Sequence, residues 1–218
     1  MTAREAAREA APRSTRGRID TRRAILDAAF AVFTRRGYAQ ACMQEIADEA
    51  RVAKPTLYNH LRDKEAVFRH AMESAAESVA AENIKAVDRL RDPGPDLPAA
   101  LEDVSRRMLK VCCSERSQAL RRLAFATAAD FPDLLETVHT RTSLGLTEAL
   151  ADRLARLALT GRLRPCDPEV AAGQLLALLT GPMEATSGLG TRKVPAARTN
   201  AIAAAAVDTF VRAYGPAA

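Results

Sequence analysis

Seven consecutive residues, Lys54-Pro55-Thr56-Leu57-Tyr58-Asn59-His60, offer an ammonium, two hydroxyls, an amide and an imidazole along one short predicted helix. Leu57 and Leu61 lie four residues apart, so we expect both to point inward. Lys54 and Thr56 then lie in the first turn of the helix, on its exposed side. Small or polar groups at a helix N-terminus can meet base edges in the major groove of DNA, and donors farther along can hold phosphates. The segment is typical of a helix that binds DNA.

The elements around this segment predict a helix-turn-helix. A first helix begins near Asp20-Thr21 and ends at Arg35-Arg36-Gly37, basic residues followed by glycine. A short helix with an apolar face follows over residues 43–50, and the break Arg51-Val52-Ala53 leads into the segment at Lys54. A long helix then begins at Asp63-Lys64-Glu65. The first three of these helices lie within about 45 residues, and a tight turn joins the second to the third, which is a helix-turn-helix arrangement.

Positive charge is concentrated at the amino end. Residues 1–64 carry 13 basic and 8 acidic side chains, which is the whole net charge of +5, and the rest of the chain is neutral. This distribution favours a polyanionic partner at one end of the molecule. Two interpretations stay open for the Arg-rich tail, residues 1–19, which we predict to be flexible. It could reach a DNA minor groove as a mobile arm, or contribute only nonspecific attraction and solubility.

The remainder of the 218 residues predicts further helices, so the fold class is all-α with about nine helices. The predicted C-terminal helices cover residues 97–113, 115–129, 132–160, 168–185 and 195–214. We expect three segments: a tail over 1–19, a helix-turn-helix DNA-binding domain over 20–66, and a further helical domain over 67–218, to which the resemblance described below assigns ligand binding and dimerisation.

Catalytic and metal-binding patterns are absent from the sequence. Cys42, Cys112, Cys113 and Cys166 have no zinc-site spacing, and no phosphate-binding glycine loop or nucleophile motif is present. We therefore predict no enzyme activity, no metal and no cofactor, and expect the thiols to be buried. The chain also has no apolar run long enough to span a membrane and no secretory signal, which predicts a cytoplasmic location and no membrane partner.

The DNA-binding segment resembles the head of the TetR family of transcriptional repressors. The resemblance rests on Gly37-Tyr38, on Glu45-Ile46-Ala47, on the run from Ala50 to Leu61, and on Asp63-Lys64-Glu65. The stretch from Leu120 to Pro132 is similar to the AefR/AcrR-like type of C-terminal domain.

This resemblance implies a ligand-responsive repressor that acts as a homodimer. Its partners would be double-stranded DNA and a small, hydrophobic effector that releases it from a palindromic operator. Two recognition helices would enter successive major grooves about 34–36 Å apart. The resemblance assigns DNA contact to Lys54, Pro55, Thr56, Tyr58, His60 and Lys64, and we add Arg51 to this set.

The sequence departs from the family pattern at several capping positions. The family usually has hydroxyl residues where this chain has Ala41 and Cys42, and a serine at Ala53, so we expect helix caps to be missing. The usual turn glycine is Arg51, which predicts an adjusted or strained backbone and a cation that replaces a lost contact. The usual phenylalanine is Leu61.

Two further sets of residues are predicted on the C-terminal helices. The effector pocket is expected to involve Met72, Met108, Cys112, Leu123, Phe125, Phe131, Leu135 and His139. A four-helix dimer interface is expected to involve Leu175, Leu178, Leu179, Ile202, Ala206 and Phe210. Each of these residues is also compatible with ordinary core packing.

Two other functions are compatible with parts of the sequence. One is a helical metabolite-binding protein or enzyme whose basic head is incidental. The other is a thiol-based redox-sensing regulator, because Cys42 at a helix N-terminus could have a lowered thiol pKa and Cys112-Cys113 are adjacent.

Overall fold

The computed structural model describes residues 11–188 and 192–216, and side chains from residue 18 onward. Within these residues the fold contains helices and no strand, which confirms the predicted all-α class. Nine helices are present if the continuous stretch from Pro132 to Leu159 is counted once. They are α1 (Ala11–Gln40), α2 (Met43–Glu49), α3 (Lys54–His60), α4 (Lys64–Val87), α5 (Leu97–Cys112), α6 (Glu115–Ala126), α7 (Pro132–His139, π-helical Thr140–Leu144 and Gly145–Leu159), α8 (Pro168–Ser187) and α9 (Ala196–Tyr214).

Helix α1 begins earlier than the sequence predicted. The expected tail lies outside the described residues over 1–10, but the chain is helical from Ala11, nine residues before the expected N-cap at Asp20. From residue 18 onward, the first buried apolar side chain of α1 is Ile25, and Ile19 is exposed.

The predicted break at Gly37 is confirmed. Gly37 has φ 76° and ψ 166°, a conformation that only glycine adopts readily, and it separates the straight part of α1 from its last three residues. A Cβ atom at this position would meet nothing within 4 Å. Backbone conformation alone therefore requires glycine here, and the break turns Tyr38 into the core.

The chain divides into two compact units. The head unit comprises the residues up to Ala75 together with Leu123–Leu135, and the C-terminal unit comprises Ala76–Arg122 and Glu136–Ala218. Helices α4 and α6 each contribute to both. The boundary that we predicted at residue 66 stays a prediction.

Apolar side chains form the interior of each unit. In the head unit Ile25, Phe33, Ile46, Leu57 and Phe68 are at most 1% exposed. In the C-terminal unit a single cluster draws on α5, α7, α8 and α9, and its fully buried members include Leu101, Leu109, Leu150, Leu154 and Phe210. None of the helices in the described ranges is both long enough and apolar enough to cross a bilayer.

Replacing Gly37 by alanine should destabilise the protein without any steric clash. We expect Gly37→Ala to lower the free energy of unfolding by about 1–3 kcal/mol, because alanine is strained at this positive φ. Gly145→Ala is the matched control. Gly145 has φ −59° and its Cβ would meet only Thr140 O at 3.9 Å, so this variant should gain about 0.5–1 kcal/mol. Denaturant unfolding measures both, and equal stability of the two variants would contradict the assignment of strain.

Candidate nucleic-acid interface

Helix α2 has a side-chain cap that the sequence did not predict. Cys42 is the N-cap residue, and its Sγ accepts a hydrogen bond from the backbone N–H of Glu45 at 3.5 Å. The hydroxyl cap is absent, as predicted, and sulfur takes its place. Cys42 is exposed and the other three cysteines are half-buried, so the expectation of buried thiols was wrong.

The turn between α2 and α3 is closed by two backbone hydrogen bonds. The N–H of Val52 donates to Ala47 O at 3.0 Å, and the N–H of Arg51 donates to Asp48 O at 3.1 Å. These two hydrogen bonds are typical of a helix C-terminus at which the residue after the C-cap, here Arg51, has the left-handed conformation. Arg51 has φ 55° and is the one non-glycine residue with positive φ in the described part of the chain. The adjusted backbone predicted for Arg51 is confirmed.

Helix α3 has one buried side and one exposed side. Leu57 is fully buried and Leu61, its C-cap, is 4% exposed, as the spacing predicted. Ala53 is the N-cap and has no side-chain oxygen to accept a bond, while Pro55 lies in the first turn. The exposed side carries Lys54, Pro55, Tyr58 and Asn59, four side chains on one strip of the helix.

The remaining residues predicted to contact DNA differ in how exposed their side chains are. Thr56 and His60 are half-buried at the edges of the strip, and Tyr58 is 44% exposed. Arg51 is exposed at the turn before α3. Lys64 is engaged inside the head unit: its Nζ donates to Ala39 O at 2.9 Å and lies 4.7 Å from the centre of the Tyr38 ring.

Several charges of the head are already paired. Arg36 Nε donates to Glu45 at 3.0 Å, and Arg35 Nη2 donates to Glu49 at 2.8 Å, which joins the end of α1 to α2. The hydrogen bond that Arg35 donates to Glu49 raises the pKa of Arg35 above its ordinary value. These pairs engage Glu45 and Glu49, whereas the third acid of α2, Asp48, accepts a hydrogen bond from Gln44 Nε2 at 2.8 Å. The exposed cations near α3 are Arg51, Lys54 and Arg62.

Sequence reasoning missed two exposed residues next to the strip. Asn59 lies one helical turn after Pro55, and an exposed asparagine can pair with an adenine edge. The side chain of Arg62 is 90% exposed just beyond α3, where its Nε lies 3.5 Å from Oδ2 of the adjacent Asp63. Helical spacing from Lys54 and Pro55 would have identified Asn59.

An aromatic cluster holds the head unit together behind this strip. The ring of Tyr38 lies 4.8 Å from Phe68 and 4.9 Å from Phe131, and Phe33 lies 4.9 Å from Phe68. Arg69 lies over the Phe131 ring and donates to Asp133 at 2.6 Å, which lowers the pKa of that carboxyl. Burial raises the pKa of the Tyr38 phenol. The cluster joins α1, α4 and the segment Leu123–Leu135.

The eight residues predicted for an effector pocket are divided between the two units. Met72, Leu123, Phe131 and Leu135 belong to the head unit and are buried or half-buried, whereas Phe125, also in the head unit, is 70% exposed. Met108, Cys112 and His139 belong to the C-terminal unit, where they are buried, half-buried and exposed, respectively. A cleft in the C-terminal unit is lined by none of the eight.

Most of the predicted dimer residues are covered by their own chain. Leu175, Leu179, Ile202, Ala206 and Phe210 are each at most 5% exposed in the core cluster of the C-terminal unit, and Leu178 is half-buried. These side chains contribute to the packing of the C-terminal unit, and the four-helix dimer interface expected at them stays a prediction. In the described ranges, no group of three or more His, Cys, Asp or Glu residues could hold a metal ion.

A helix-turn-helix with an exposed second helix, joined to a larger helical unit, is the architecture of a DNA-binding transcriptional regulator. Residues 25–71 match the description "Bacterial regulatory proteins, tetR family", and residues 99–216 match "AefR-like transcriptional repressor, C-terminal domain". The chain therefore belongs to the TetR family of transcriptional regulators and has an AefR-like C-terminal domain.

Individual relatives agree with this assignment. The structure is similar to that of a proposed TetR-family transcriptional regulator from Mesorhizobium loti MAFF303099, with 29% identity, a TM-score of 0.84, and coverage of 91% of this chain and 98% of that one. It is also similar to the flavonoid-responsive regulator FrrA, with 26% identity, a TM-score of 0.69 and coverage of 91% and 99%. The uncharacterized HTH-type regulator YhgD of Bacillus subtilis (strain 168) is 25% identical over 73% of this chain and 81% of its own length.

Arg51 should lower stability through its backbone. We expect Arg51→Gly to raise the free energy of unfolding by about 1 kcal/mol, because glycine adopts the left-handed conformation without a Cβ penalty. Arg51→Ala is the control, since it also removes the cation but keeps the strained conformation. Denaturant unfolding should place the glycine variant above both the alanine variant and the parent. If the two variants are equally stable, the strain at Arg51 is negligible.

Proposed function

We propose that this protein is a ligand-responsive repressor that binds a palindromic operator as a homodimer, with α3 of each copy in the major groove. The observation that carries the proposal is the two-sided character of α3. Leu57 fixes one side in the core of the head unit, and the opposite side presents Lys54, Tyr58 and Asn59 to solvent.

The exposed side chains suit distinct DNA contacts. Lys54, Arg51 and Arg62 are cations that can neutralise phosphates, and Tyr58 offers a phenol hydroxyl to the backbone. Asn59 and Thr56 are the polar groups that can meet base edges. Pro55 on the strip and His60 at its edge are proposed to lie next to the DNA. Lys64 is proposed mainly as a positioning residue, because its ammonium already binds Ala39 O and the Tyr38 ring.

The homodimer is proposed through the exposed faces of α8 and α9 rather than through their leucines. Gly173, Ala177, Gly181 and Ala185 recur every four residues on α8 and are all exposed. A Cβ atom at Gly173 or Gly181 would meet nothing within 4 Å, so the chain's own packing does not require glycine there. A glycine inside a helix costs about 1 kcal/mol relative to alanine. Close approach of a second helix explains why it is kept.

Helix α9 continues this small-residue surface. Ala197, Ala201 and Ala205 lie on its exposed face at intervals of four residues. Interaxial distances between packed helices depend on the side chains at the contact, and small residues give the shortest distances. Two copies of the α8–α9 pair would form a four-helix contact.

An effector would act by favouring a dimer in which the two α3 helices have the wrong spacing for the operator. A coupling free energy of about 1–3 kcal/mol between effector and DNA would change DNA affinity by about 5–150-fold. A small hydrophobic molecule in the C-terminal unit was the expectation from the sequence. The excess of basic side chains in a cleft of that unit favours an effector that also carries an anionic group.

Removing two polar groups from the exposed side of α3 should weaken DNA binding without affecting the fold. An operator is first selected from genomic fragments with the parent protein. We expect Lys54→Gln combined with Tyr58→Phe to lower affinity for it by about tenfold or more, and to reduce the salt dependence by about one counterion per lost phosphate contact.

Arg122→Gln, an exposed change in the C-terminal unit, is the charge control and should bind like the parent. Circular dichroism should stay helical in all three proteins. If the α3 variant binds as tightly as the control at every salt concentration, α3 is not the DNA-reading element.

A charge on the small-residue face should separate the two copies. The mass of one chain is 23.5 kDa. Light scattering of the parent at about 10 µM, where a stable dimer stays associated, should therefore give about twice that mass. We expect Ala177→Arg to shift the protein to the single-chain mass, whereas Ala81→Arg, an exposed alanine on α4, should leave it dimeric. A parent protein that is monomeric at this concentration would exclude the dimer.

A further inference from the structure

The C-terminal unit contains a cleft of about 1280 Å³. Its walls come from the last turns of α4, one side of α5 and the start of α6, and residues 192–200 at the beginning of α9 close another side. All of its lining residues belong to the C-terminal unit. The volume exceeds that of a typical drug-sized pocket, so a ligand of some length can be accommodated.

The lining has a strong excess of positive charge. Seven basic side chains face the cleft, against three acidic ones: Lys85, Arg89, Arg106, Arg107, Lys110, Arg192 and Lys193, against Glu82, Asp103 and Glu115. The chain beyond residue 64 is neutral overall, so this local excess is not a consequence of a basic C-terminal unit. Clefts lined by one sign of charge concentrate counter-ions of the other sign.

Part of this charge is held in place by Asp103. Its carboxylate accepts hydrogen bonds from Arg107 Nε at 2.9 Å and from Arg89 Nε at 2.7 Å, which joins α5 to the turn after α4. The Arg107 hydrogen bond, supported by that of Arg89, holds the pKa of Asp103 below its ordinary value. The two guanidiniums are therefore positioned before any ligand arrives, although their charge is partly neutralised.

Four cations of the lining remain for a ligand. In the described part of the chain, Lys85, Lys110, Arg192 and Lys193 form no ion pair with a carboxylate. Lys85 belongs to α4, Lys110 belongs to α5, and the other two precede α9. All four are exposed, and they line the cleft from three separate elements of the C-terminal unit.

The uncharged part of the lining is partly polar, with Ser114, Gln118, Thr199 and Asn200, and partly apolar. Ala86, Val111, Val194 and Ala196 contribute apolar surface, and burial raises the pKa of the Cys113 thiol, so that it stays neutral. No aromatic side chain is among these lining residues, all of which are described. Sites for nucleobases usually supply an aromatic platform for stacking, so an aliphatic body fits this lining better than a base.

We propose that this cleft binds an aliphatic organic anion, with a phosphate or carboxylate group held by Lys85, Lys110, Arg192 and Lys193 and an alkyl body on Val111 and Val194. A ligand so placed connects α4 and α5 to the start of α9. Because α9 carries part of the proposed dimer face, binding changes the spacing of the two heads. Only this last step rests on the proposed function; anion binding itself does not.

Titration calorimetry of the full chain with octyl phosphate tests the binding. We expect one saturable site per chain, with inorganic phosphate and 1-octanol each binding about tenfold or more weaker, because each lacks one half of the recognition. Lys85→Gln combined with Lys110→Gln should weaken octyl phosphate binding by about tenfold or more. The matched control, Arg122→Gln with Arg198→Gln, removes two exposed charges outside the cleft and should stay within about twofold of the parent.

Three outcomes would overturn the proposal. Equal losses in the cleft and control variants would mean that octyl phosphate responds only to net charge. Equal affinities for inorganic phosphate and octyl phosphate would exclude an alkyl site. A loss of operator affinity by the ligand-free cleft variant, matching that of the α3 variant, would make the cleft a DNA surface. If the parent binds no operator at all, the calorimetry still decides the anion site, so the two proposals fail separately.

Discussion

The packing of Tyr38 against Phe33, Phe68 and Phe131 is the interaction on which the head unit depends. The rings belong to three segments that are far apart in sequence, and Lys64 and Arg69 lie over their outer faces. Edge and tilted contacts of this kind contribute about 0.5–1.5 kcal/mol per pair beyond the burial of area. Gly37 makes the arrangement possible, because its positive φ directs Tyr38 into the cluster.

The position of α3 is set by its packing against α2 and by the buried side chains of Leu57 and Leu61. Phe68 and Lys64 fix the first turns of α4, and Asp63 caps that helix by accepting the N–H of Ala66 at 2.7 Å. Leu61 is buried directly before this cap and ends α3. The exposed strip of α3 is thus presented by a chain of buried contacts, whereas the strip itself contributes little to stability. Residues that bind a partner and residues that hold the fold are separated on opposite sides of one short helix.

Much of the head could be predicted from sequence, because its signals are local. The spacing of Leu57 and Leu61 and the glycine at position 37 each follow from the geometry of a single helix or turn. The adjusted backbone at Arg51 was predicted from the resemblance, because the family usually has glycine there. The internal role of Lys64 could not be predicted, because its partner Ala39 lies 25 residues away and is a backbone carbonyl. The thiol cap of Cys42 was missed because sulfur is a weak acceptor.

The C-terminal unit shows the limit of periodicity more clearly. The leucines of α8 indicated an apolar face, but periodicity does not say whether that face is covered by the same chain or by another, and here the same chain covers it. Conversely, small residues such as Gly173 and Ala177 give almost no hydropathy signal, and the charged cleft is assembled from elements more than 100 residues apart.

The discontinuity of the head unit bears on how the chain is made. Leu123–Leu135 belongs to this unit, and Phe131 supplies one of its rings. When a ribosome has released only the first 75 residues, Tyr38 and Phe68 still lack that ring, and their faces are open to water. The amino-terminal part therefore completes its core only after more than half of the protein has been synthesised. A fragment that ends at Ala75 would resemble this nascent intermediate rather than an autonomous domain.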